Sequence, residues 1–274
     1  MKDYPETPEG LALEHDGNVL RARLDRPERR NALTDEMVLA LIETIEAAGS
    51  DESVRVIALT GSGAHFCSGF DLGQRGKGEG KSAAGAARAG ATQRRMRWQV
   101  NRLIPTMLET QTPIVTAAKG WIVGLGLHLV LASDFAVVAD DARLRAPFAT
   151  MGFTPDSGGS WLIPRLAGIA RAKQLIMLGR EISGAQAADW GMVHRAVPDA
   201  QVDATAADLV DELASAATVA VGLSKLLIHR GLSVDLERHL ADEALAIEVS
   251  SRSDDFHEHA RARRERRDPK FEGR

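Results

Sequence analysis

Between Asn18 and Leu24, apolar Leu20, Ala22 and Leu24 alternate with Arg21 and Arg23, which predicts a strand with one buried face. A polar loop, Arg26–Asn31, follows. Thr34 then precedes Asp35 and Glu36, a hydroxyl cap and two carboxylates suited to the positive end of a helix. Met37, Val38, Leu41, Ile42 and Ile45 give that helix its apolar stripe. Val54–Thr60, Ile114–Ala118 and Phe135–Ala139 are largely apolar without alternation, the character of parallel strands buried on both faces. Helical segments separate them, so an α/β architecture with crossover connections is predicted.

Gly73–Gly90 is rich in Gly, Ala, Lys and Ser and has no apolar period, which predicts a mobile surface loop. Beyond Pro164 the pattern is helical. Ser183 and Gln186 match a capping box, and Ala204–Ala217, Val219–Arg230 and Val234–Ser250 are amphipathic. A boundary near residue 200 would divide an α/β core, 1–200, from a helical region, 201–274.

Charge and cysteine content narrow the function classes. The net charge of −4 gives no overall attraction to nucleic acid or an anionic membrane, although Arg261, Arg263, Arg264, Arg266 and Arg267 make the last segment basic. The single Cys67 excludes an intrachain disulfide and a cysteine-rich metal site, and reads as a small buried residue. No clustered metal ligands stand out. The start, Met1–Glu6, lacks a signal-peptide layout, and the apolar stretches are too short to span a bilayer. The expected setting is cytoplasmic, with no membrane partner.

Three segments carry candidate chemistry. Gly61–Leu72 and Lys119–His128 each follow a buried strand and contain glycines that let the backbone turn and present N–H groups. The second opens a helix, whose N-terminus suits a developing anion. Its third dinucleotide-fingerprint glycine is missing, with Leu129 in that place. In the third segment, Met151–Trp161, Asp156 is open to two readings, a cap for the next helix or an acid/base. Taken singly, each segment is also an ordinary turn.

Together they resemble the crotonase superfamily, the enoyl-CoA hydratase/isomerase family. The resemblance starts at Leu24–Leu33 and continues through Phe66–Leu72, Gly120–Asp134, Gly152–Gly168 and Ala187–Pro198. Pro155–Arg165 and Trp190–Val193 are most similar to the 1,2-epoxyphenylacetyl-CoA isomerase-like branch. The resemblance implies an α/β crotonase (ClpP-like) spiral of ββα units with a helical C-terminal region, assembled as a homotrimer or a hexamer of two trimers. It implies an acyl-CoA substrate, with coenzyme A as part of the substrate and no separate cofactor or metal. It also implies an oxyanion hole made by the backbone N–H groups of Phe70 and Leu125. Arg30, Ala32, Ser68, Asp71 and Leu72 fall at positions near the CoA moiety.

Hydratases of the family use two glutamates, and His128 and Phe148 stand at those places. Asp156 matches the acid/base aspartate of isomerase-like and dehalogenase-like branches. The leading expectation is therefore an enoyl-CoA isomerase with Asp156 as acid/base. His128 is either a second acid/base group or a packing residue. Hydration of an enoyl-CoA, and a non-catalytic CoA- or RNA-binding role, are the alternatives; the acidic balance argues against RNA.

Overall fold

The computed structural model describes residues 4–73 and 90–274. The loop expected over Gly73–Gly90 therefore lies, for 74–89, outside the described residues. Strands β1 (Leu11–Asp16) and β2 (Val19–Leu24) form an antiparallel hairpin. Leu20, Ala22 and Leu24 are buried, as their alternation requires. Helix α1 (Asp35–Ala48) begins at Thr34, whose hydroxyl accepts a hydrogen bond from the Met37 N–H. The stripe from Met37 to Ile45 is buried.

Strand β3 (Val56–Gly61) lies parallel to β2. Helices α2 (Ala91–Trp98) and α3 (Val100–Glu109) lead to a repeated unit. In its first copy β4 (Ile114–Ala118), β5 (Trp121–Val123) and α4 (Leu125–Ala132) follow in turn. In the second, β6 (Phe135–Ala139), β7 (Arg143–Arg145) and α5 (Gly159–Ala167) do the same. The first strand of each unit joins a large sheet and the second a small one, so the chain winds as a ββα spiral. After α6 (Ile169–Ile176), β8 (Glu181–Ser183) pairs antiparallel with β7. The capping box of Ser183 and Gln186 opens α7 (Gly184–Asp189), and β9 (Arg195–Val197) then joins the large sheet beside β6. The order of that sheet is β1-β2-β3-β4-β6-β9. The helical reading beyond Pro164 is thus corrected for β8 and β9. Strands of three residues are too short to show a period of two.

Four helices complete the chain: α8 (Val202–Ser215), α9 (Thr218–Gly231), α10 (Leu236–Ser250) and α11 (Asp254–Glu265). Helix α8 covers the large sheet and buries Val202, Ala206, Val210 and Ala214. Helices α9 and α10 and the turn between them leave Ile228, Leu232, Leu236, Leu240, Leu245 and Ile247 exposed. Among the described residues no helix is long and apolar enough to cross a membrane.

Helix α9 is pinned to the core by an ion pair that the apolar pattern does not reveal. The Lys225 ammonium donates to Asp134 at 2.7 Å and to the Thr112 carbonyl at 3.3 Å. Asp134 also accepts the Ile114 N–H at 2.7 Å. Both side chains are almost wholly buried. Asp134→Ala would leave that ammonium without its counter-ion, so a loss of about 3–5 kcal/mol is expected from urea unfolding.

Candidate active site

The site lies where the small sheet meets the segment after β3. The Cys67 N–H donates to the Trp121 carbonyl at 3.0 Å, and the Val123 N–H donates to the Cys67 carbonyl at 2.9 Å. Cys67 therefore bridges Ile122 in parallel register. Three residues further along each segment stand Phe70 and Leu125, the two expected donors. On its other edge this segment pairs with Leu33, whose N–H donates to the Gly69 carbonyl and whose carbonyl accepts the Asp71 N–H, both at 2.8 Å. N–H groups on extended chain point alternately to opposite sides. With the Asp71 N–H turned to Leu33, that of Phe70 is directed away, towards the Leu125 side.

Two glycines make this approach possible. Gly69 has φ +99°, and a Cβ there would stand 3.0 Å from the Val123 carbonyl oxygen. Gly124 has φ +55° and turns the chain from β5 into α4. Leu125 is the first residue of that helix, so its N–H has no carbonyl one turn back to donate to. The helix dipole adds partial positive charge at the same point.

Asp156 reaches the same place from the loop before α5. A cavity of about 80 Å³ is lined by Phe70, Leu125 and Asp156, together with Ser68, Leu72, Phe148 and Ser157 among others. Asp156 does not cap α5. The N-cap is Gly158, with no side-chain cap bond, and it is the Asp156 backbone carbonyl that accepts the Gly159 N–H, at 3.0 Å.

His128 is placed differently from a group that meets substrate. It is fully buried in α4 and does not line the cavity; its ring stacks on Phe148 at a centroid distance of 5.6 Å. Its Nε2 packs against Gly159, where a Cβ would come within 2.2 Å. Neither ring nitrogen has a hydrogen-bond partner among the described residues. Burial pushes its pKa down to about 4; the Ser157 backbone, outside hydrogen-bonding geometry, opposes the shift. The His128 imidazole is thus held neutral and stacked on the Phe148 ring. This arrangement fits the packing reading of His128.

The buried ring has a consequence for stability. The unfolded chain takes up a proton on His128 near its ordinary value of 6.5, the folded chain only near 4. Between these values the unfolded state binds more protons, so stability falls as pH drops from 6.5 to about 4. The contribution is about 3 kcal/mol. Unfolding midpoints in urea across that range are expected to follow this fall in the wild type, with the slope flattened in His128→Leu.

The five residues expected near CoA divide into two groups. Ser68 and Leu72 line the cavity. Arg30, Ala32 and Asp71 shape its rim. The exposed Arg30 has its carbonyl bound by the Ser68 N–H at 2.9 Å. Ala32 offers its carbonyl to Arg26 at 2.7 Å, and the Asp71 carboxylate is 3.1 Å from the same guanidinium. Asn31, which the sequence reading passed over, joins the rim together. It is fully buried at φ +55°, accepts the Arg26 N–H, and donates to the carbonyls of Ser62 and His65 at 2.9 and 2.7 Å. Asn is among the few residues that adopt this left-handed conformation readily, the signal that could have singled it out. Cys67 is fully buried and desolvation raises its thiol to about 12, so it is inert here.

Two backbone segments, one of them a helix start, and one acidic residue thus line a single small and largely apolar cavity. The model of the enoyl-CoA hydratase/isomerase family matches residues 14–274, and the chain belongs to that family. It is 34% identical over 255 residues to a 1,2-epoxyphenylacetyl-CoA isomerase of Escherichia coli (strain K12), covering 93% of this chain and 95% of the relative. It is 34% identical over 269 residues to a probable enoyl-CoA hydratase of Rhodobacter capsulatus, covering 98% and 97%. The solved enoyl-CoA hydratase of Bacillus anthracis superposes with a TM-score of 0.87 at 29% identity, covering 97% of this chain and 100% of that one. The expected crotonase fold is thereby established.

Proposed function

We propose that this enzyme isomerises an enoyl-CoA, with Asp156 as its single acid/base. The observation that carries this reading is the composition of the cavity: Phe70, Leu125 and Asp156 line it together with Phe148, behind which His128 is stacked, and by the family resemblance these last two take the places of the hydratase glutamates. Asp156 takes a proton from C2 of a 3-enoyl thioester. The C2–H electron pair becomes the C1–C2 double bond of an enolate, and its oxygen accepts hydrogen bonds from Phe70 and Leu125. Each donor lowers the barrier by about 3 kcal/mol. The electron pair then shifts along the chain as Asp156 returns the proton to C4. The double bond has moved into conjugation, with neither gain nor loss of water. Only groups of the chain and the thioester take part.

Arg30, exposed beside Ser68, supplies a cation for the CoA phosphates. Ala32, Ser68, Asp71 and Leu72 frame the pantetheine arm. The apolar side chains left exposed on α9 and α10 support the 201–274 region as the place where copies meet, as a homotrimer or two stacked trimers. The names of relatives divide between isomerase and hydratase, so the test must separate the two. Purified protein is incubated with 3-hexenoyl-CoA and, separately, with 2-hexenoyl-CoA. Conversion of the first at constant mass supports isomerisation. Addition of water to the second without conversion of the first would make it a hydratase.

A further inference from the structure

The 80 Å³ cavity at the two donors has room for about three water-sized groups, well below the roughly 300–1,000 Å³ of ordinary small-molecule sites. It holds the reacting carbons and little more. A second space of about 950 Å³ adjoins it, and Asp156 and Ser157 line both. Its walls are largely apolar, with Ile104 and Leu108 of α3, Trp161 of α5 and Leu226 of α9. The face of α9 that closes it is fixed to the sheet by the buried Lys225–Asp134 pair, one residue from Leu226. Trp161 is stacked under the Arg165 guanidinium at 4.0 Å, which holds its indole in place.

From this juxtaposition we infer that the groove is an acyl chamber, entered past Asp156, and that the enzyme selects acyl-CoAs whose acyl group continues beyond the reacting carbons as a long or ring-bearing apolar group. The inference rests on the acyl-thioester reading of the small cavity and deepens it. A short acyl group leaves the chamber filled with water. A longer one exchanges that water for contact with Leu108, Trp161 and Leu226, at roughly fourfold in affinity per methylene buried.

Calorimetric binding of saturated acyl-CoAs tests this without turnover, so the result does not depend on which reaction the site performs. Butanoyl-, octanoyl- and 4-phenylbutanoyl-CoA are compared on the wild type, Leu226→Trp and Ser160→Trp. The two variants fill the groove from different helices, α9 and α5, and Ser160 is exposed, so its replacement does not disturb the core. The wild type is expected to bind octanoyl- or 4-phenylbutanoyl-CoA at least tenfold tighter than butanoyl-CoA. Whichever of the two binds tighter identifies chain or ring as the source of the contact. Both variants should erase the preference and leave butanoyl-CoA affinity unchanged. Equal affinity for all three esters in the wild type would overturn the chamber alone, as would a preference that survives both variants. Failure to bind any of them would overturn the acyl-thioester reading with it.

Discussion

Asp156→Asn is expected to lower kcat for 3-enoyl-CoA isomerisation by about 10²–10⁴-fold while KM changes little. The amide has nearly the shape of the carboxylate but cannot accept a proton from C2, so binding survives and chemistry does not. The size of the effect follows from the cavity. With His128 sealed behind Phe148, Asp156 is the carboxylate that shares the cavity with the two donors. Steady-state kinetics on the variant would show the split. An unchanged kcat would assign the proton transfer to another group, and a rise in KM alone would reduce Asp156 to a binding residue.

The second large effect concerns a backbone atom. Leu125→Pro deletes one of the two proposed oxyanion donors, and proline is well tolerated at the first position of a helix, where its missing N–H breaks no helical bond. A fall in kcat of about 10²–10³-fold is expected. Leu125 is also buried, so the substitution removes packing as well as a donor. Leu125→Ala separates the two: it trims the side chain and keeps the N–H, and it should retain most of the activity. Equal losses in both variants would trace the effect to packing and remove Leu125 from the oxyanion hole.

Much of the fold was legible because burial and period agree locally. The alternation in β2, the Thr34 cap and the capping box at Ser183 each depend on neighbours in sequence, and each is found where expected. Strands β8 and β9 were not legible, because three residues carry no period and their pairing is set by the sheet. The same limit applies to the Asp134–Lys225 pair, which joins residues 91 apart that no local pattern connects.

At the site, the positions of Phe70, Leu125 and Asp156 followed from the family resemblance, and the sequence alone left each an ordinary turn. What brings Phe70 and Leu125 together is the Cys67–Ile122 register, a non-local pairing, and Asp156 joins them from the loop before α5. Two positions left open by the sequence are located by packing. Asp156 stands three residues before α5, whose N-cap is Gly158, and His128 packs against Gly159 and does not line the cavity. Asn31 was hidden for another reason, since its role rests on a left-handed backbone conformation that leaves no mark in hydrophobic pattern.

The proton shuttle is tested most directly by the fate of the C2 hydrogen. A 3-hexenoyl-CoA deuterated at C2 would be converted by the wild type and by Asp156→Asn under single-turnover conditions, and the product read by mass and magnetic resonance. Deuterium at C4 of a product with no added water, made by the wild type and lost in Asp156→Asn, is the expected result. Transfer undiminished in the variant, or a product heavier by one water, would contradict a single-carboxylate isomerase.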